Sequence, residues 1–430
     1  MNLSSVKKIH FIGIGGIGMS ALARHFCAEG VLVSGSDRSP SLITDALQAE
    51  GVTFYSPQVK ENIAPDLDMV VYTEAMEHNH EEMVAARSLG ITTVNYFEAL
   101  GLVANDYYVV AVAGSHGKTT TTAMLIDIFE DADLDPSAVV GSLRSKTGKN
   151  YRQGKSKYFI VEACEYKRDF LHLKPDILVI TNVEAEHLDY YKDLDDVVSA
   201  FNEFARSVPE EGFVVCAPKD TVIKRVLEEV VARVVDYTEH VDLMTPLKQP
   251  GLHTRLNAAA ATAAALSVGI EKESIRSSLQ NFGGTWRRFE FKGVMPKGAI
   301  LYDDYGHHPT EVGVTLKGAR ELFPDKRIIV AFHPHLYSRT KLLFNDFIHA
   351  FSDADEVVLA PIFAAREVDD GTISHYILKE ALIAQGGRAE AFDGFEEITE
   401  YLKTKDDENT VIITMGAGDI YKIGVDLLMN

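Results

Sequence analysis

The chain has 430 residues, 46% apolar and 24% charged, a globular composition that excludes wholesale disorder. At roughly 100–200 residues per domain, the length allows two to four domains. Lysine and arginine number 42 against 63 acids, a net charge of −21 that argues against a nucleic-acid partner, and no run of about 18 apolar residues offers a membrane span.

Met1–His10 holds no apolar core before a cleavage site, so no secretory leader is expected. Cys27, Cys164 and Cys216 give neither a disulfide framework nor a metal spacing, which suits a reduced, cytoplasmic setting. Lys8–Ile12 reads as a buried parallel strand. Gly13-Ile-Gly15-Gly16-Ile-Gly18 follows it and opens a helix expected over Ser20–Gly30. Such glycines allow a tight turn and bring backbone close to a diphosphate at a helix N-terminus. Asp37 ends the next strand, Val31–Ser34, at the distance of a ribose-contacting acid. Alone, this motif suggests a nicotinamide enzyme, without saying which nucleotide binds. Helices are expected over Leu42–Glu50 and Glu81–Ser88, and a strand over Met69–Thr73.

The strand Tyr107–Ala113 leads into Gly114-Ser115-His116-Gly117-Lys118-Thr119-Thr120. This is a shortened phosphate loop, because Val112 stands where the first glycine of the usual pattern would be. A lysine at a helix N-terminus costs ~0.3–1 kcal/mol unless an anion is present. Phosphate removes that penalty, and Thr119 would then coordinate magnesium. Strands at Tyr158–Val161 and Ile177–Thr181 end in acids: Glu162 and Glu165 after the first, Glu184, Glu186, His187 and Asp189 after the second. Strand ends beside a phosphate loop are where α/β proteins hold magnesium and attacking groups. Cys164 lacks an activating partner and reads as a small packing residue.

Gly251-Leu-His253-Thr-Arg-Leu-Asn257 precedes an alanine-rich helix, Ala258–Leu266, whose polar start would face a cleft. Asn281–Thr285 breaks the helical periodicity. Trp286-Arg287-Arg288-Phe289-Glu290 offers guanidinium forks for phosphate or carboxylate, or else a surface pair. Strands follow at Ile300–Tyr302, Ile328–Ala331, Val357–Leu359 and Val411–Thr414. The first leads into Asp303-Asp304-Tyr305-Gly-His307-His308-Pro309, the second into His333-Pro-His335-Leu-Tyr337-Ser-Arg339-Thr340, and the last into Met415-Gly-Ala-Gly418-Asp419. Alternating strands and helices imply an α/β fold with parallel sheets. The two glycine loops are too far apart for one mononucleotide unit, so two nucleotide domains are expected. Breaks near residues 105 and 285 give three parts: 1–105, 106–284 and 285–430.

In order, these segments resemble the Mur ligases, ATP-dependent amide-forming enzymes of peptidoglycan precursor synthesis. The resemblance rests on Gly13–Ser20, Arg287–Glu290, Asp303–Thr310, Pro334–Thr340 and Gly416–Asp419. It is strongest with the branch that attaches L-alanine to UDP-N-acetylmuramate. It implies an N-terminal Rossmann-like UDP-sugar domain, a central P-loop ATPase domain with a mainly parallel sheet, and a C-terminal Rossmann-like domain that delivers the amino acid. ATP and Mg2+ are the implied cofactors, and UDP-N-acetylmuramate and L-alanine the substrates. The first loop (Gly13, Gly15, Gly16, Gly18, with Asp37) would then hold the UDP diphosphate. Gly114–Thr120 would hold ATP, with Lys118 at the β/γ-phosphates. Thr119, Glu162 and His187 would hold magnesium. His253 and Asn257 would lie at the adenine, Arg288 at the γ-phosphate and Asp304 near the ribose or phosphates. Lys118, His187 and Arg288 are the implied catalytic residues, and Tyr305, His307 and Arg339 would shape the amino-acid site.

The chain departs from the family pattern at Ser115, at Thr254 and at Thr73-Glu74-Ala75, and its segment from Tyr237 to Gly251 is short. Leu194–Ser207 lacks the lysine that other branches carbamylate, as the alanine branch would. A related ligase that attaches a whole tripeptide, a nicotinamide-dependent oxidoreductase and a non-catalytic nucleotide switch remain alternatives at this stage.

Overall fold

The structure, a computed structural model, describes residues 3–77, 79–188, 190–243, 247–365 and 367–429. Its strands form three sheets. The first holds β1 (Lys8–Ile12), β2 (Leu32–Ser36), β3 (Thr53–Tyr55), β4 (Met69–Tyr72) and β5 (Thr92–Asn95), all parallel, in the order β3-β2-β1-β4-β5. The chain order reverses between β1 and β4, so the crevice for a ligand opens at the end of β1, where Gly13 lies.

The second sheet holds β6 (Tyr108–Ala113), β7 (Ser137–Arg144), β8 (Lys149–Arg152), β9 (Tyr158–Glu162), β10 (Ile177–Ile180), β11 (Phe213–Cys216) and β12 (Arg233–Asp236). Its order is β12-β11-β10-β6-β9-β7-β8, parallel except for the β7–β8 hairpin at one edge. β6 lies between β10 and β9. The loop after it is therefore flanked by Glu162 at the end of β9 and by Thr181 and Asn182 after β10. Residues 109–113 are wholly buried, because helices cover both faces, and this removes the in–out alternation of a half-exposed strand. The helix Lys118–Asp131 packs here through Leu125, Ile126, Ile128 and Phe129, each at most 1% exposed. At about 1.5–3 kcal/mol per buried side chain, this anchors the phosphate loop to a rigid core.

The third sheet holds β13 (Glu290–Val294), β14 (Ile300–Asp304), β15 (Arg327–Phe332), β16 (Glu356–Leu359), β17 (Ala389–Ala391) and β18 (Thr410–Met415). Its order is β13-β14-β18-β15-β16-β17, with only β13 antiparallel. The turns after β14, β15 and β18 thus open side by side.

The chain divides into two compact units, Met1–Pro246 with Leu256–Gly283, and Leu247–Arg255 with Gly284–Asn430. The first unit carries two sheets, and the β7–β8 hairpin ties them together. Asn150 Nδ2 donates to Ile17 O at 2.5 Å and to Ser20 Oγ at 3.1 Å, and its Oδ1 accepts from Arg24 at 2.9 Å. Among the described residues, no helix is long and apolar enough to cross a membrane.

Each strand expected from the sequence is present, with ends shifted by one or two residues. The helix expected at Ser20 starts at Ile17, because Gly16 serves as its cap. Short or polar strands such as β3, β5, β8 and β12 carry too little apolar signal to be read from sequence.

Candidate active site

Three groups of residues gather at strand ends. The first surrounds Gly13–Gly18. The helix Ile17–Ala28 begins at Gly16 with no side-chain cap, which leaves backbone donors at its first turn. Gly15 N–H donates to Asp37 Oδ2 at 2.8 Å, and Asp37 Oδ1 accepts from Arg38 N–H at 2.7 Å. Asp37 therefore braces the loop. Thr73, one of the departures from the family pattern, packs its methyl group where a Gly13 side chain would stand.

The second group is the phosphate loop. Gly117 caps the helix Lys118–Asp131 in the left-handed region, at φ 83°, and a Cβ there would collide with Asn257 Oδ1. Asn257 thus lies against the loop. Asn182 accepts His116 N–H at 2.9 Å and donates to His116 O at 3.0 Å, while Thr181 Oγ1 donates to the same carbonyl at 2.6 Å. Glu184 N–H donates to Ser115 Oγ at 2.8 Å, so serine at 115 retains a working hydroxyl. These contacts fix the loop through β10, and the sequence reading gave Thr181 and Asn182 no role.

Lys118 Nζ reaches Gly114 O at 2.5 Å, Ser115 O at 3.1 Å and Glu165 Oε1 at 2.8 Å. Burial opposes the charge on Lys118, but Glu165 and its neighbours push its pKa above the ordinary lysine range. Burial alone would raise the Glu165 carboxyl, yet Lys118 and His187 hold it below the usual range. Thr119 Oγ1 donates to Glu162 Oε1 at 2.8 Å, and Glu162 Oε2 accepts Gly141 N–H at 2.7 Å. A hydroxyl beside a carboxylate at a phosphate loop is an oxygen donor set that suits Mg2+.

His187, expected with Thr119 and Glu162 in the magnesium set, has its Nε2 3.4 Å from Glu165 Oε1. Glu165, Glu186 and His187 bring one ligand atom each within 4.8 Å of one another. Asp189 lies outside the described residues. His187 adopts φ 54°, and so do Lys167 (54°) and Arg168 (62°) in the turn after Glu165, a left-handed clustering that no sequence pattern announces. Burial pushes the Cys164 thiol up to about 12, which agrees with a packing role.

The third group belongs to the other unit. Arg287, for which a surface place was one reading, is 3% exposed. Its Nε donates to Asp303 Oδ2 at 2.8 Å, and its terminal nitrogens donate to Gly418 O at 2.8 Å and Gly416 O at 2.5 Å. It pins two turns together. Arg288 lies over the Tyr305 ring at 5.1 Å, with Glu311 3.9 Å away. Asp304 accepts Phe289 N–H and Gly306 N–H, both at 2.7 Å, and burial pushes its carboxyl up to about 6 against the pull of Arg288. Tyr305 and His307 meet edge-on at 5.5 Å, and His307 and His335 at 5.8 Å. Burial lowers His307 to about 4, so it is neutral at pH 7. Arg339 lies 3.4 Å from His335 Nδ1 and has no acidic partner among the described residues; a pairing with Asp346 is not seen. In the same unit, Thr254 Oγ1 donates to Pro250 O at 2.9 Å, and burial lowers His253 to about 4.

Two α/β glycine loops, one of them a phosphate loop with a paired hydroxyl and carboxylate, define a nucleotide-dependent enzyme. Residues 8–108 match the Mur ligase family catalytic domain, 112–244 the Mur ligase middle domain and 287–418 the Mur ligase glutamate ligase domain. The chain is 41% identical to the UDP-N-acetylmuramate–L-alanine ligase of Clostridium kluyveri, over 99% of this chain and 98% of that one. It is 39% identical to the ligase of the same name from Caldanaerobacter subterraneus, over 100% and 98%. The crystal structure of the UDP-N-acetylmuramate-alanine ligase from Thermotoga maritima matches with a TM-score of 0.82 at 28% identity, covering 98% of both chains. The chain belongs to the Mur ligase family.

Proposed function

We propose that this protein joins L-alanine to the lactyl carboxylate of UDP-N-acetylmuramate in peptidoglycan precursor synthesis, as an ADP-forming ligase of the cytoplasm. Full-length similarity to alanine-adding ligases supports this reading, and so does the phosphate loop with Lys118, Thr119 and Glu162 in working proximity. The three functional parts are 1–105 for the UDP-sugar, 106–284 for ATP and 285–430 for the amino acid.

In the first step, a lactyl oxygen attacks the γ-phosphorus of ATP and the bond to the β-phosphate breaks, giving an acyl phosphate and ADP. The backbone N–H groups of Gly114–Thr120 receive the phosphates. Lys118 transfers its charge from Glu165 to the β/γ-oxygens, where charge grows in the transition state. Arg288 takes the γ-phosphate, and His253 and Asn257 take the adenine. Thr119 and Glu162 would hold Mg2+, which when bound neutralises phosphate oxygens; His187, beside Glu165, adds a further donor. Asp304, which accepts the Phe289 and Gly306 N–H groups, would serve near the ribose or phosphates. In the second step, the alanine amine attacks the acyl carbonyl, phosphate leaves, and the amine loses a proton. Tyr305, His307 and Arg339 receive the amino acid. Water must be kept out, because it would hydrolyse the acyl phosphate.

The test is product analysis with UDP-N-acetylmuramate, ATP, magnesium and a panel of amino acids and peptides. Alanine-dependent release of ADP and phosphate is expected. AMP and pyrophosphate, or turnover with a tripeptide only, would overturn the proposal.

A further inference from the structure

Tyr96 is the first residue of the helix Tyr96–Ala104, and a capping box fixes that start: Asn95 Oδ1 accepts Glu98 N–H at 2.8 Å, and Glu98 Oε2 accepts Asn95 N–H at 2.7 Å. Phe97 braces the ring edge-on at 4.8 Å. The phenol lies directly over Gly18: a Cβ there would stand 2.6 Å from Tyr96 Cζ and 2.8 Å from its hydroxyl oxygen. The last glycine of the first loop is thus needed to admit this ring. The hydroxyl consequently sits at the uncapped first turn of the helix Ile17–Ala28. Burial first, then the charge of Glu162, hold the phenol well above its ordinary range, so it stays protonated. Tyr96 is half-buried, and among the described residues its hydroxyl makes no hydrogen bond. A braced, neutral donor left without a partner over the first glycine loop is arranged for an acceptor on the ligand which that loop takes.

We propose that Tyr96 is a further substrate-binding residue, whose hydroxyl donates a hydrogen bond to an oxygen of the bound UDP-sugar beside Gly18 of the first glycine loop. The proposal rests on the sugar-nucleotide reading above. An acceptor of this kind is either a diphosphate oxygen or an oxygen of the sugar with its lactyl arm.

The experiment is calorimetric titration of wild type and Tyr96→Phe with UDP-N-acetylmuramate and, separately, with UDP, alongside steady-state kinetics and thermal unfolding. The variant keeps the ring over Gly18 and loses only the hydroxyl. Its Kd for UDP-N-acetylmuramate should rise about five- to tenfold, the effect of one neutral hydrogen bond. KM for ATP and for L-alanine should stay within about twofold and the unfolding temperature should not move. An equal loss with UDP assigns the bond to the diphosphate, and a loss with UDP-N-acetylmuramate alone assigns it to the sugar; both support the proposal. Unchanged affinity in Tyr96→Phe overturns it, as does a uniform rise in every KM with a lowered unfolding temperature, which is the mark of a packing role. If wild type binds neither ligand, the sugar-nucleotide reading itself fails, and the proposal with it.

Discussion

Lys118 Nζ lies 2.8 Å from Glu165 Oε1, while its remaining donors are spent on the carbonyls of Gly114 and Ser115. An ammonium has three N–H groups, so without nucleotide none is free. Glu165 is 2% exposed, and its second oxygen has no partner. The pair therefore competes with any phosphate that calls on Lys118.

Glu165→Gln removes the counter-charge and leaves a buried lysine. Breaking a buried pair from one side costs about 3–5 kcal/mol. The unfolding temperature of the nucleotide-free variant should fall clearly. Phosphates resupply the lost negative charge, so ATP should raise the unfolding temperature more in the variant than in wild type. Thermal unfolding with and without ATP decides this, and equal shifts would mean that Glu165 and nucleotide do not compete.

Lys118→Ala should abolish turnover and leave the affinity for UDP-N-acetylmuramate nearly intact, because the loop at Gly13 and the loop at Gly114 stand on different sheets. Calorimetry with the sugar nucleotide checks it. Loss of binding together with activity would refute the separation.

The two glycine loops were legible because a buried strand, a glycine turn and a helix start are all local properties of the chain. The set around Glu165 was not. Glu165 was noted as a strand-end acid, but its bond to Lys118 joins residues 47 apart in the chain, which no local pattern announces. Arg287 was left open between a carboxylate fork and a surface pair for a related reason. A charged residue in a loop is read as exposed, and only the third dimension supplies Asp303 and two carbonyls to bury it. Tyr96 carried no signal at all, since its meaning lies in Gly18, which is remote in sequence.

Stability should fall with acid through the buried histidines. His10 is 0% exposed, and burial lowers its pKa from 6.5 to about 4. The unfolded chain then binds more protons between about pH 4 and 6.5, so stability is full above that window and is lost as pH falls through it. Ser34 accepts or donates at His10 Nδ1 at 2.9 Å, and Glu82, 3.9 Å from Nε2, is the nearest acid; its own carboxyl is raised by burial. His10→Asn can keep the bond to Ser34 and cannot take the proton. Between pH 7 and 5 its unfolding temperature should drop less than that of wild type. Parallel pH curves for the two proteins would remove His10 as a source of acid sensitivity.

Arg339 carries the sharpest test of the amino-acid site. The incoming amine must be neutral to attack, while the carboxylate of the amino acid stays charged and needs a cation. Arg339 follows β15, beside His335, and no acid among the described residues occupies it. Tyr305 and His307 form a partly buried aromatic wall in this cluster, and His307 is neutral. Of the cations beside it, Arg287 is bound to Asp303 and Arg288 lies over the Tyr305 ring near Glu311, which leaves the Arg339 guanidinium without an acid. A guanidinium grips a carboxylate through two hydrogen bonds in one plane, and lysine cannot copy that geometry. Exclusion by the wall should matter more than apolar gain, since one methylene is worth only about 1–3 kcal/mol of discrimination. Alanine, glycine and serine should therefore be accepted and valine and leucine refused. Arg339→Lys should raise KM for L-alanine at least tenfold and change KM for ATP and for UDP-N-acetylmuramate far less. Steady-state kinetics with each substrate varied in turn separates these effects. A folded Arg339→Lys protein with an unchanged KM for alanine would take Arg339 out of the site and leave the carboxylate to another donor.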